Sequence, residues 1–127
     1  MRRRRILLVD DEVSITRALA LYLTENGGCD VRVENEGIRA VASAREFEPD
    51  LIFLDIMMPD IDGGTVASEI QDDPLLRGTP IVFLTALVSR DETGGTLKRI
   101  GGYPFLAKPT HPEVVLEYIK VHARKGA

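Results

Sequence analysis

Three short runs, "ILLV" at 6–9, "LIFL" at 51–54 and "IVFL" at 81–84, are apolar without alternation. A strand with one wet face alternates polar and apolar residues. A strand that does not alternate is buried on both faces, as happens in a parallel sheet covered by helices. Two further runs, "CDVRV" at 29–33 and "YPFLA" at 103–107, bring the set to five. Helical spacing fills the gaps between them. Ile15, Ala18, Leu19, Tyr22 and Leu23 recur at i, i+3, i+4, i+7 and i+8, and Gly27-Gly28 end that helix. Val41, Ala44 and Phe47 mark a second helix that stops before Pro49, and Val66, Ala67 and Ile70 a third. Val115, Ile119 and His122 mark the last, with Thr110 and Glu113 spaced as a capping box and Pro112 in the first turn. A fourth helical segment, at about 90–100, is weaker. Ser89 and Glu92 could cap it, and Leu97 and Ile100 give a thin stripe. Gly94-Gly95 lie inside it at about 1 kcal/mol each, so it is expected to be short or frayed.

Strand and helix thus alternate five times, the pattern of an α/β fold with a mostly parallel sheet and helices on both faces. A length of 127 residues suits one domain, with residues 1–4 as a basic lead-in and 124–127 as a tail. Hydrophobic residues make up 44%, enough for a sizeable core. Lys and Arg number 16 against 20 Asp and Glu, a net charge of −4, so nothing draws the chain as a whole to nucleic acid or anionic lipid. The "RRRR" at 2–5 reads as a solvated lead-in to the first strand or, more sharply, as a phosphate-binding arm. Cys29 is the single cysteine, so no internal disulfide can form, which fits a reducing compartment. No apolar run approaches a membrane span, and "ILLV" after "MRRRR" is too short for a signal peptide. The chain reads as cytoplasmic.

Open parallel sheets bind ligands beyond the carboxyl ends of their strands. At those ends stand Asp10, Asp11 and Glu12 after the first run and Asp55 after the third. Thr85 and Ala86 follow the fourth run, and Lys108 and Pro109 the fifth. Singly each has a plain explanation: a loop acid, a cap, a strand-end threonine, a solvated lysine. Together they place acids, a hydroxyl and an amine on one rim. Carboxylates crowded there repel, so one must be protonated or they must share a cation, and Mg²⁺ suits an all-oxygen site. A cation, an ammonium and a hydroxyl aimed at one carboxylate are what an arriving phosphoryl group needs. Asp55, expected to be exposed at its strand end, is the natural nucleophile.

With "LLVDDE" at 7–12, "LIFLDIMMP" at 51–59, "FLTA" at 83–86 and "FLAKP" at 105–109, in that order and spacing, the chain resembles the receiver domains of two-component response regulators over nearly its whole length. The resemblance implies a flavodoxin-like, doubly wound five-stranded parallel sheet in order 2-1-3-4-5 with five helices. It implies that Asp55 accepts phosphate from a histidine kinase or a histidine phosphotransfer protein. Asp10 or Asp11, or both, with Asp55 and the backbone carbonyl of Met57, would hold Mg²⁺. Thr85 and Lys108 would bind phosphoryl oxygens, with Ala86 beside them, and the Lys108–Pro109 peptide would be cis. Thr85 and Phe105 would form the switch, Phe105 swinging inward as phosphate draws in the hydroxyl. Such a chain catalyses only its own phosphoryl transfer and slow autodephosphorylation. It would act on an effector protein or output domain, without direct contact with nucleic acid or membrane, and could pair with a second copy through the face of helix four, strand five and helix five.

Several features depart from the family pattern. Apolar Met57 and Leu87 flank the path of the hydrolytic water, and they are expected to slow phosphoryl loss. The glycine pairs of "SRDETGGTLKRIGGYPF" suggest a loose fourth helix that orders on activation or a mobile surface. No DNA-binding module is legible, which leaves a stand-alone receiver or a piece of a longer chain. Three rival readings remain. A degenerate receiver could act as an unphosphorylated scaffold. An aspartyl-phosphate phosphatase would want a second acid where Met57 stands. A nucleotide or flavin binder would want a glycine-rich loop where the acids stand. His111 and His122 read as helix-start and core-edge residues, and nothing suggests zinc.

Overall fold

A computed structural model describes residues 3–86 and 99–124, with only the backbone of 99 and 100. The strands are β1 (Arg5–Val9), β2 (Asp30–Glu34), β3 (Leu51–Asp55), β4 (Ile81–Thr85), β5 (Arg99–Ile100) and β6 (Tyr103–Ala107). The helices are α1 (Val13–Gly27), α2 (Ala40–Phe47), α3 (Gly63–Asp72) and α4 (Pro112–His122), with a 3₁₀ turn at Gly37–Arg39. The sheet order is β2-β1-β3-β4-β6-β5, and every pair is parallel except β5 with β6. Counting the five long strands alone, this is the expected 2-1-3-4-5 order. Four α-helices stand among the described residues, and residues 87–98 lie outside them.

The three unalternated runs become the three central strands, whose residues point by turns to two separate cores. Leu7, Val9, Ile52, Leu54, Ile81, Phe83 and Phe105 face α2 and α3, meeting Ala40, Ala44, Val66, Ala67 and Ile70. Ile6, Leu8, Leu51, Phe53, Val82, Leu84 and Leu106 face α1 and α4, meeting Leu19, Leu23, Val115 and Ile119. The strand period of two therefore divides one apolar run between two faces, each closed by a helix pair.

Three local readings are corrected. The buried stripe of α1 runs through Thr16, Leu19 and Leu23, while Ile15 and Ala18 are exposed. The last helix is capped by His111, one residue beyond the capping box expected at Thr110, with Pro112 opening the helix and Glu113 in its first turn. Residues 99 and 100, assigned to a helix, form a strand. Ile100 pairs with Tyr103 across Gly101 and Gly102, both at positive φ (57° and 87°), the two-residue hairpin geometry that favours Gly-Gly. The rest of that expected helix, its caps at Ser89 and Glu92 and its loose Gly94-Gly95, lies outside the described residues.

Arg5 belongs to β1 and not to a loose lead-in: its N–H donates to Asp50 Oδ2 (2.8 Å) and its guanidinium to the Phe47 carbonyl (3.2 Å). At the same end of the sheet, Arg45 Nε on α2 reaches Asp73 Oδ2 at 2.6 Å, just past α3. The Leu75 N–H, then the Arg45 guanidinium, hold the Asp73 carboxyl below its ordinary value of 3.8. A carboxyl lowered by folding stabilises the protein above its unfolded pKa, and that contribution fades as pH falls through the folded one. Asp73→Asn is thus expected to lower stability near pH 7, with the gap from wild type closing below about pH 4. Urea unfolding at both pH values measures this, and a gap that does not change with pH would refute it.

Candidate functional site

The parallel register brings four strand ends to one rim. Val9 lies beside Leu54, Asp55 beside Leu84 and Thr85 beside Ala107. The Lys108 N–H donates to the Thr85 carbonyl (2.8 Å), and the Asp10 N–H to the Glu34 carbonyl (3.1 Å), so the sheet's hydrogen bonds extend into the site itself.

Asp10 is buried, and Asp11 beside it is exposed. Asp55 is buried as well, only 4% exposed, which corrects the expectation of an exposed nucleophile. Its Oδ1 accepts from the Met57 N–H (3.2 Å). Asp10 Oδ1 accepts from the Glu12 N–H (3.0 Å), and the Asp10 carbonyl from Asn35 Nδ2 (2.7 Å), which also reaches Thr16 Oγ1 (3.0 Å). The Lys108 ammonium sits among three carboxylates: Asp10 Oδ2 at 2.6 Å, Glu12 Oε1 at 3.1 Å and Asp55 Oδ2 at 3.4 Å. The Asp10 contact is a charge contact and not a well-directed hydrogen bond, leaving a buried oxygen short of a donor.

Burial, then the charge of Asp10, push the Asp55 carboxyl up to about 6, against the pull of Lys108 and the Met57 N–H. Burial disfavours the Lys108 ammonium, but its contacts with Asp10 and Glu12 and the charges of Asp10 and Asp55 outweigh that and raise it well above its ordinary value. One cation therefore holds a rim that carries more negative than positive charge.

Carboxylate oxygens of Asp10, Asp11 and Asp55 all lie within 4.8 Å of one another. The donor set is oxygen only, which selects a hard divalent cation over zinc or copper. A raised carboxyl and an underserved buried oxygen both call for more positive charge at this point. The residues thus fit Mg²⁺.

Thr85 is buried and Ala86, next along, is exposed. The Lys108–Pro109 peptide is cis. Phe105 is buried and packs in the α2–α3 core, in register with Phe83, whose ring meets Tyr103 edge-on at 5.4 Å. Met57 is 62% exposed at the mouth of the site. Leu87, the other residue expected on the water path, lies outside the described residues. His111 is the cap of α4, and His122 stacks obliquely on Tyr118 at 5.3 Å.

Sequence reasoning missed three supports. Glu12 joins Lys108 across the site. Asn35 secures the Asp10 loop from β2. Gly63 lies so close to the end of β3 that an added Cβ would stand 2.4 Å from the Asp55 carbonyl oxygen. Only the start of α3 left a local signal, Asp62-x-x-Thr65, where the aspartate accepts from both the N–H and the hydroxyl of Thr65.

The family model described as the response regulator receiver domain matches residues 6–120. Among curated relatives, the DNA-binding dual master transcriptional regulator RpaA of Synechocystis is 33% identical over 95% of this chain and 49% of its own length. The DNA-binding response regulator MtrA of Mycobacterium tuberculosis is 32% identical over 98% of this chain and 52% of its own. The chain thus spans about half the length of these relatives. Their names record DNA binding, so the expectation of no dealings with nucleic acid is not borne out by them. Among solved structures, the BeF3-activated N-terminal receiver domain of Klebsiella pneumoniae RstA superposes with a TM-score of 0.75 at 34% identity, covering 96% of this chain and all of that one.

Proposed function

Since this chain belongs to the response regulator receiver domain family, we propose that it is a phospho-accepting switch in which Asp55 takes a phosphoryl group from a histidine kinase or histidine phosphotransfer protein. The observation that carries this reading is the buried Asp55 carboxylate, set between the Lys108 ammonium and an acid pair on the same rim. An Asp55 carboxylate oxygen forms the new P–O bond as the P–N bond of the donor's phosphohistidine breaks. The electron pair leaves with the imidazole, which takes a proton from solvent. Lys108 and Thr85 would take the phosphoryl oxygens.

Asp10, Asp11 and Asp55, with the Met57 carbonyl, would hold Mg²⁺, which when bound supplies positive charge against the phosphoryl oxygens. Burial of Asp10 and Asp55 keeps water from screening those interactions. Val13, Ile15 and Met57 are exposed near the site, an apolar border suited to a protein donor. Drawing the Thr85 hydroxyl toward phosphate would alter packing around Phe105 and bias two pre-existing states of the β4–β6 edge. An effector protein or an output domain would read that edge, and the DNA binding named for the longer relatives is one form such output takes. We place the chain in the cytoplasm as a single receiver domain. No helix among the described residues is long and apolar enough to cross a membrane.

Intact-mass measurement after incubation with acetyl phosphate tests the reading. With Mg²⁺ the protein is expected to gain one phosphoryl group, and with a chelator none. No gain under either condition would overturn it.

A further inference from the structure

The mouth of the site carries a contact that phosphoryl acceptance does not require. Lys108 faces three carboxylates at 2.6, 3.1 and 3.4 Å, and the contact with Glu12 is a directed hydrogen bond, so one of its three N–H donors is committed to Glu12 before any phosphoryl oxygen arrives. For the ammonium to turn toward an incoming group, one of these contacts must loosen. Asp10 and Asp55 are buried members of the acid trio, and stripping a buried carboxylate of its cation is costly. Glu12 stands outside that trio with its side chain 51% exposed, so water takes it up on release.

Glu12 is also in an unusual posture. It is the N-cap residue of α1: its N–H is held by Asp10 Oδ1, and its carbonyl accepts from the Thr16 N–H. Yet its side chain makes no cap hydrogen bond, and it crosses the site to Lys108, 96 residues away in the chain. The local backbone is anchored, and the carboxylate is spent on the lysine.

We propose that Glu12 is a positioning residue that clamps Lys108 in the resting state and is displaced when phosphate lands on Asp55. The proposal rests on the phospho-acceptor reading. Two consequences follow from the clamp. It withholds an N–H donor from the arriving group, and it sets a negative charge beside the path of an anionic donor. Removing it frees the lysine, which keeps Asp10 and Asp55 as partners.

Two variants separate contact from charge. Glu12→Gln removes the charge. Glu12→Asp keeps the charge on a side chain one methylene shorter, which cannot span to Nζ from the same anchored backbone. With saturating Mg²⁺ and acetyl phosphate, both are expected to phosphorylate about two- to fivefold faster than wild type, the weight of a half-exposed ion pair. A Glu12→Asp protein at the wild-type rate would reduce the effect to charge alone and overturn the clamp, as would wild-type rates in both.

A second readout needs neither metal nor phosphate. In chelator, ammonium proton exchange at Lys108, followed by NMR, is expected to quicken by a similar factor in both variants, and unchanged exchange would overturn the proposal. Should the wild-type protein take up no phosphoryl group while its lysine exchange still responds to Glu12, the phospho-acceptor reading fails and the resting contact stands.

Discussion

Asp55→Asn is expected to take up no phosphoryl group from acetyl phosphate and Mg²⁺, yet to be more stable than wild type when divalent cations are chelated. The two effects have opposite signs because one carboxylate is the nucleophile and also the strained member of the rim. An amide offers no anionic oxygen to phosphorus, so labelling is lost entirely. Its oxygen can still accept from the Met57 N–H, and Lys108 keeps Asp10 and Glu12.

The stability effect follows from linkage. In the fold the Asp55 carboxyl rises to about 6 from its ordinary 3.8, through burial and then Asp10. A carboxyl raised by folding binds its proton more tightly in the native state, so metal-free wild type loses stability as pH climbs from about 4 to about 6 and carries the full penalty above that. Discounted for water at the mouth of the site, the penalty is about 1–3 kcal/mol. Asp55→Asn escapes it, so in chelator near neutral pH the variant should need more urea to unfold. Adding Mg²⁺ should raise the wild-type midpoint and move the variant less. A variant that is less stable than wild type in chelator would show that Lys108 already neutralises the rim.

The sequence made the sheet legible for a physical reason. Strands covered on both faces have no freedom to alternate, so "ILLV", "LIFL" and "IVFL" leave few readings open. The rim followed, because a parallel sheet puts every strand's carboxyl end on one edge and the residues after each run are fixed by counting. What stayed hidden depended on distance in three dimensions. Asp55 is enclosed with Asp10, Met57 and Lys108 gathered around its carboxylate, and its place after an apolar run says nothing of those neighbours. Glu12 meets Lys108 only because β1 and β6 end on the same edge. Leu97 and Ile100 have helical spacing, but Gly101-Gly102 suits a two-residue hairpin, and the pairing of Ile100 with Tyr103 shows that the turn chemistry prevails at Ile100. The box at Thr110 and Glu113 gave way to a start at His111, since Pro112 opens a helix wherever its fixed φ is useful.

Gly63→Ala is the second large effect, and it runs against helix propensity. Gly63 and Gly64 open α3, where alanine is favoured over glycine by up to about 1 kcal/mol, so on propensity alone both substitutions would stabilise. Packing separates them. A Cβ on Gly63 would stand 2.4 Å from the Asp55 carbonyl oxygen, 2.8 Å from Ile56 Cα and 3.1 Å from the Asp55 carbonyl carbon. All three atoms are backbone and cannot swing aside. A Cβ on Gly64 would meet only the tip of the Asp62 side chain, at 3.0 Å.

The Gly63 N–H also donates to the Ile56 carbonyl at 2.7 Å, so α3 is pinned to the turn that follows Asp55. To admit a methyl group, either that hydrogen bond stretches or the end of β3 moves. Overpacking of this kind costs about 1–3 kcal/mol, and rigid neighbours place Gly63→Ala at the top of that range. The displaced atoms carry Asp55 and lead to Met57, and misplacing a nucleophile by about 1 Å can slow a reaction on the order of a hundredfold. Urea unfolding and the rate of labelling by acetyl phosphate should therefore fall together in Gly63→Ala, while Gly64→Ala stays close to wild type in both. If Gly63→Ala matched Gly64→Ala in stability and labelling, the turn after β3 would have to yield freely, and close packing against α3 could not be what fixes the position of Asp55.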